Sequence, residues 1–274
     1  MQLLQTLSNK ALHKQVLLLA IPMVLSNITV PLLGLVDAAV IGHLEHAWYL
    51  GGVALGSTMI SVTFWLLGFL RMSTTGLAAQ SYGAQSGKQL GLVFTQGVAM
   101  ALGFALLFLI FHQPIANLVF SLSSASDEVK FYGEQYFAIR AWSAPAALVN
   151  FVLLGWLLGT QNARAPMWMV IIANVTNIVL DVLFVIGFGW KVEGAALASV
   201  IADYSGMSFG LWCVWRTWHK SHLPSIASLL KDTTHGLSRF VKLNRDIFLR
   251  SLCLQATFTS VSYTHLRAHE TTDN

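Results

Sequence analysis

Charge is what this sequence has least of. Only 10% of its 274 residues are Asp, Glu, Lys or Arg, against roughly 25% in an ordinary soluble domain. So few charges cannot cover a water-facing surface, which leaves lipid as the solvent. The chain also has no Gly/Ser-rich linker, no low-complexity tract and no charge run longer than two residues, so no appended soluble domain is expected. Cysteine is nearly absent. Cys213 and Cys253 lie in apolar stretches without CxxC or metal spacing, and read as two buried thiols. Walker, HExxH and Ser/His/Asp patterns are missing from the apolar runs, which argues against an ATP-driven pump and against an enzyme. The formal net charge is +4, but the basic residues cluster between apolar runs, so no nucleic-acid partner is expected.

What the chain does have is long apolar runs. A bilayer-spanning helix needs about 20 mostly apolar residues. Six runs qualify, at 16–40, 52–70, 90–111, 131–158, 166–187 and 195–216, and a seventh begins near Ile247 and loses its character near Ser262. The expected class is therefore an all-α integral membrane protein. The first run is too long for a cleavable signal peptide and contains Pro22 and Pro31. Twelve basic residues fall on one side of these spans, seven of them after the sixth, against Lys130 and Lys191 on the other. That bias predicts a cytoplasmic N-terminus in a multi-pass plasma (inner) membrane protein. Residues 1–217 then form a six-helix bundle. Residues 218–246 form a cytoplasmic amphipathic linker: Ile226, Leu229, Leu230, Leu237, Phe240 and Val241 recur at helical spacing among Lys, Arg and His, which predicts a helix lying on the inner membrane face, the alternative being a solvated linker. Residues 247–261 are a truncated seventh helix. Trp212, Trp215 and Trp218 close the sixth span as interface anchors.

Ionisable groups inside apolar spans are costly, so they mark function. Asp37 lies late in the first span, six residues after Pro31 and beside the small residues Gly34, Ala38 and Ala39. The bland alternative is a carboxylate that reaches water at the outer interface. Asn174, Asn177 and Asp181 fall at offsets of three and seven, on one stripe of the fifth span. Their alternative role is gluing helices through amide hydrogen bonds. Ser199 adds a hydroxyl from the sixth span, unless it bonds its own helix. Asp203, Asn150 and Arg140 are ambiguous, and interfacial exposure would explain Asp203. Buried carboxylates among amide and hydroxyl oxygens can trade a proton or hold Na⁺, which is the chemistry of ion-coupled transport.

The runs Asp37-Ala-Ala-Val-Ile-Gly42-His43-Leu44, Ala78-Ala-Gln80-Ser-Tyr82-Gly83-Ala84, Gly159-Thr-Gln161-Asn-Ala-Arg164-Ala-Pro166 and Glu193-Gly194-Ala-Ala-Leu-Ala198 together resemble the multidrug and toxic compound extrusion (MATE) family. The Asn177-x-x-x-Asp181 pair beside Asp37 resembles its DinF-type branch. The resemblance covers roughly residues 8–260. It implies two pseudo-symmetric six-helix bundles, export of organic compounds driven by H⁺ or Na⁺, and a cation site at Asp37, Asn177 and Asp181, with Ser199 where the branch has a hydroxyl. No cofactor beyond the coupling ion is implied. Pro22 and Pro31 would let the first helix bend. The alternative within the same fold group is a flippase for lipid-linked saccharides, which needs several inward-facing cationic residues; Arg140 alone lies in a span. A twelve-helix transporter also needs a second bundle, so the expectation is a fragment whose residues 262–274 are a non-native tail.

Overall fold

The computed structural model describes residues 34–221, 223–232 and 237–272, together with Leu17, Ile21, Val24 and Ile28, and all regular structure among them is helical. Pro22 and Pro31, the expected hinge, lie outside the described residues. Helix α1 covers 34–42. The helices α2 (Ala47–Leu67) and α3 (Phe69–Gly83) read as one span of 37 residues, interrupted only at Gly68. Next come α4 (Gly87–Leu122), α5 (Asp127–Ala141), α6 (Ala144–Gly159), α7 (Arg164–Asp181) and α8 (Lys191–Lys220). The short α9 (Ile226–Lys231) and the long α10 (Leu237–Thr272) follow. Four of these spans are long and apolar enough to cross a membrane, or five if the bent pair α5–α6 counts as one.

Local chemistry sets the breaks. Ser86 caps α4 by accepting from the Gln89 N–H (3.4 Å), after a turn in which Gln85 takes φ 53°. Ser126 caps α5 in the same way, accepting from Val129 N–H (3.4 Å), and Asp127 and Glu128 favour its positive end. The sequence predicts one straight span at 131–158; instead α5 and α6 meet at 54° across Trp142 and Ser143. Pro145 is the cause, since it fits the first turn of a new helix but not the interior of an old one. Pro114 acts differently. It lies inside α4, which runs on to Leu122 past the expected end at 111, as membrane helices tolerate when neighbours re-satisfy the backbone.

The centre of the bundle is α6, whose Leu148, Val152, Leu153, Trp156 and Leu157 are fully buried. Trp156 Nε1 donates to the Leu90 carbonyl across the core (3.1 Å). Apolar burial drives little in lipid, so close packing must hold such helices together. Gly155 and Gly159 let α6 lie directly on α3: a Cβ at Gly159 would stand 2.6 Å from Ala78 Cβ and 2.9 Å from Ala79 N. Gly159→Leu is therefore expected to lower the thermal unfolding midpoint by the equivalent of about 1–3 kcal/mol or more. Gly103→Leu, where nothing lies within 4 Å, should leave the midpoint unchanged. Equal midpoints for the two variants would refute the packing argument.

Two expectations need correction. The seventh helix starts not near Ile247 but at Leu237, and it runs past Ser262 to Thr272. Within 218–246, where an amphipathic helix is expected, α9 and the first turns of α10 are helical, and α10 packs on the bundle: Phe240 and Asn244 are buried, Asn244 Oδ1 accepts from the Ser73 hydroxyl (2.6 Å), and Phe248 stacks edge-on against Phe69. The cysteines are not both buried either. Cys213 is half-buried and Cys253 exposed, as an apolar side chain facing lipid is.

Candidate functional site

Four helices, α1, α5, α7 and α8, converge where the sequence placed its carboxylates. Val40 and Ile41 of α1 pack with Tyr136 of α5, with Val185 beyond α7, and with Val192, Ala195 and Ala196 of α8. This cluster seats α1 against the rest. Directly after Asp181 the backbone widens into a π-helix, Val182–Gly187, a distortion found often at functional positions.

The predicted stripe of α7 faces inward. Asn177 and Asp181 are 2% and 1% exposed, and Asn174 is buried beside them. Asp37, half-buried on α1, comes within hydrogen-bonding reach of the Asp181 carboxyl. Two carboxyl groups can bond only if one carries a proton. The amide of Asn177 satisfies both of its ends when its nitrogen donates to Asp181 Oδ2 (3.1 Å) and its oxygen accepts from the Ser199 hydroxyl (3.2 Å). Asp181 Oδ1 is buried without a donor among the described residues. An acceptor left bare in an apolar setting is costly, and it is the natural place for a proton or a cation. Ser199 thus bonds across to α7, and Asp37 stands beside Asp181.

The network continues further than sequence reasoning carried it. The Tyr136 hydroxyl, buried on α5, lies within reach of both Ser199 and Arg140. Arg140 Nη1 pairs with Asp203 Oδ2 of α8 at 2.6 Å, with side chains only 15% and 26% exposed. Asp203 is thus an internal partner and not an interfacial group. Asn150 Nδ2 donates to the Asp203 carbonyl (2.9 Å), while its Oδ1 is buried without a donor among the described residues. Arg140, Asn150, Asn174 and Asp203 line one wall of a cavity of about 240 Å³, with Phe64 and Phe151 among its apolar walls. Tyr136 was missed because an aromatic in an apolar run carries no signal of its own; its i, i+4 spacing to Arg140 was the clue available.

Toward the end of the bundle that carries Glu45 and Lys191, Lys191 Nζ donates to the Tyr49 hydroxyl (2.9 Å), and Tyr49 packs edge-on against Tyr132. This ties α2, α5 and α8 together above the carboxylates. Among the described residues no three His, Cys, Asp or Glu side chains gather as a metal site.

The MatE family model matches residues 22–183, more than half of the chain. The chain belongs to the MatE family. DNA damage-inducible protein F of Escherichia coli (strain K12) is 48% identical over 258 residues, covering 94% of this chain and 55% of that protein. A probable multidrug resistance protein NorM of Synechocystis is 28% identical, over 82% of this chain and 48% of its own length. A crystal structure of MATE in complex with MaD3S superposes with a TM-score of 0.76 at 21% identity, covering 90% of this chain and 55% of that one. The outward-facing form of a multidrug resistance MATE transporter gives 0.75 at the same identity. This MatE chain spans about half the length of the curated relatives it matches. Its fold is that of the N-terminal half of a MATE transporter, a multi-pass membrane protein.

Proposed function

We propose that the chain is the N-terminal bundle of a secondary antiporter. It exports organic, often cationic and lipophilic, compounds in exchange for H⁺ or Na⁺ across the plasma membrane, with its N-terminus in the cytoplasm. The observation that carries this reading is the meeting of Asp37 and Asp181 from different helices around a bare, buried carboxylate oxygen. Such a group changes charge when the coupling ion arrives or leaves, and α1 bears one of the two carboxyls, so occupancy and helix position are linked. The amide orientation that best satisfies Asn177 sets its nitrogen toward Asp181 and its oxygen toward Ser199, which suits a shared proton better than Na⁺, a cation needing several oxygens. The twelve-to-two bias of basic residues supports the orientation. The flippase alternative gains nothing, because the charge of Arg140 is already matched by Asp203.

The test uses the full-length transporter in a drug-sensitive bacterial host with a fluorescent lipophilic cation. Asp37→Asn is expected to abolish efflux, and collapsing one ion gradient, the proton gradient on this reading, is expected to do the same in wild type. Full efflux by Asp37→Asn would make the carboxyl structural. Dependence on the Na⁺ gradient alone would reassign the ion. Pro22→Ala is expected to slow turnover without loss of folded protein, and unchanged transport would remove the bending role of the first helix.

A further inference from the structure

Lys191 breaks two local rules at once. It is the first residue of α8, where the positive end of the helix disfavours a cation. Its φ of 50° lies in the left-handed region, which residues with a side chain rarely adopt. Gly189, at φ 69°, precedes it by two, so the turn out of the π-helix delivers Lys191 in this conformation. A lysine that merely reached water would need neither departure. Such outliers persist where the surrounding structure holds them, and they cluster at switch positions.

What holds Lys191 is a buried phenol. Lys191 is exposed, yet its Nζ donates to the Tyr49 hydroxyl at 2.9 Å and lies 5.1 Å from the ring centroid. Among the described residues no carboxylate forms an ion pair with it. Tyr49 is 3% exposed and stands edge-on to Tyr132, with ring centroids 4.6 Å apart. Tyr49 also belongs to the apolar cluster that contains Val40 and Ile41. These two residues follow Asp37 by three and four positions, one turn nearer the end of α1. The cluster therefore stands between Asp37 and this end of the bundle, and the Lys191–Tyr49 bond fastens the starts of α8 and α2 across it.

We propose that Lys191 is a positioning residue of the coupling site. Through Tyr49 it keeps the end of α1 seated and closes Asp37 off from the aqueous phase on this side, the outer one in the orientation given above. When the bond breaks, the cluster loosens and the coupling ion gains a path to Asp37. The inference rests on the coupling role proposed for Asp37, but the closure itself is measured without it.

The experiment follows thiol labelling of Val40→Cys, a position 6% exposed, in the full-length transporter with its other cysteines replaced. A charged, membrane-impermeant methanethiosulfonate is applied to intact cells and to inverted vesicles. In intact cells Lys191→Met is expected to raise the labelling rate by about threefold or more, the worth of an ordinary hydrogen bond. Tyr49→Phe, which keeps the ring and loses the hydroxyl, should do the same, and Lys191→Arg should keep the slow rate. Ala101→Cys, at a position 0% exposed in the other core cluster, should stay unlabelled throughout. An unchanged rate at position 40 in Lys191→Met and Tyr49→Phe overturns the proposal. So does a rise shared by position 101, which means general loosening, or one confined to inverted vesicles. Either variant serves if the other does not fold. Full efflux by Asp37→Asn would instead remove the coupling reading, and the labelling would still decide whether Lys191 closes this end.

Discussion

Asp181→Asn in the full-length transporter is expected to reduce efflux of a lipophilic cation by more than about tenfold, a loss of at least about 1.4 kcal/mol in the turnover barrier, while folded protein is still recovered. The substitution keeps the size and shape of the side chain and most of its hydrogen bonds. What it removes is the ability to change charge. Asp181 is 1% exposed and its Oδ1 has no donor among the described residues, so on the proposed reading a coupling ion that comes and goes would satisfy it. An amide at this position is neutral at every step, so the arrival of the coupling ion no longer alters the forces between α1 and α7. Ser199→Ala, which removes only the hydroxyl that Asn177 accepts from, should cost much less. Wild-type efflux by Asp181→Asn would show that the carboxyl merely holds helices together.

The largest stability effect is expected at the ion pair between α5 and α8. Arg140→Gln strands Asp203 in a site where the pair's side chains are 15% and 26% exposed, and removing one partner of such a pair costs about 3–5 kcal/mol. Asp203→Asn should cost a similar amount by stranding Arg140. The double variant should recover most of the loss, because two neutral side chains of similar volume need no compensation. Denaturant or thermal unfolding of all four proteins gives the coupling energy. Additive losses would mean that the two groups are held separately, by water or by the Tyr136 hydroxyl, and not by each other.

Much of the fold was legible because lipid imposes a simple rule on sequence. Every expected crossing has a helix in the structure wherever residues are described, since twenty apolar residues have few other options in a bilayer. The ends were less legible. α2–α3 and α4 extend well past their apolar runs, held by caps such as Ser86 and not by hydropathy. The bend before Pro145 had its signal in the sequence, a proline in the middle of a run, but hydropathy averages over it. The π-helix after Asp181 had none: Val182–Gly187 reads as plain apolar helix. For the site, single-helix geometry carried Asn174, Asn177 and Asp181 to one face. What helical periodicity cannot supply is which residue of another helix stands opposite. Hence Arg140 and Asp203 were visible one by one, yet not as partners 63 residues apart.

The buried bond between Ser73 and Asn244 fixes a fulcrum. The turns of α10 that precede Asn244 are clamped to the first bundle, with Phe248 gripping Phe69 one turn later. Whatever follows is carried on an arm that gains about 5.4 Å per turn. A tilt of about 10° at this fulcrum moves a point three turns beyond it by about 3 Å, so a small adjustment at α3 is delivered, magnified, to whatever the arm supports.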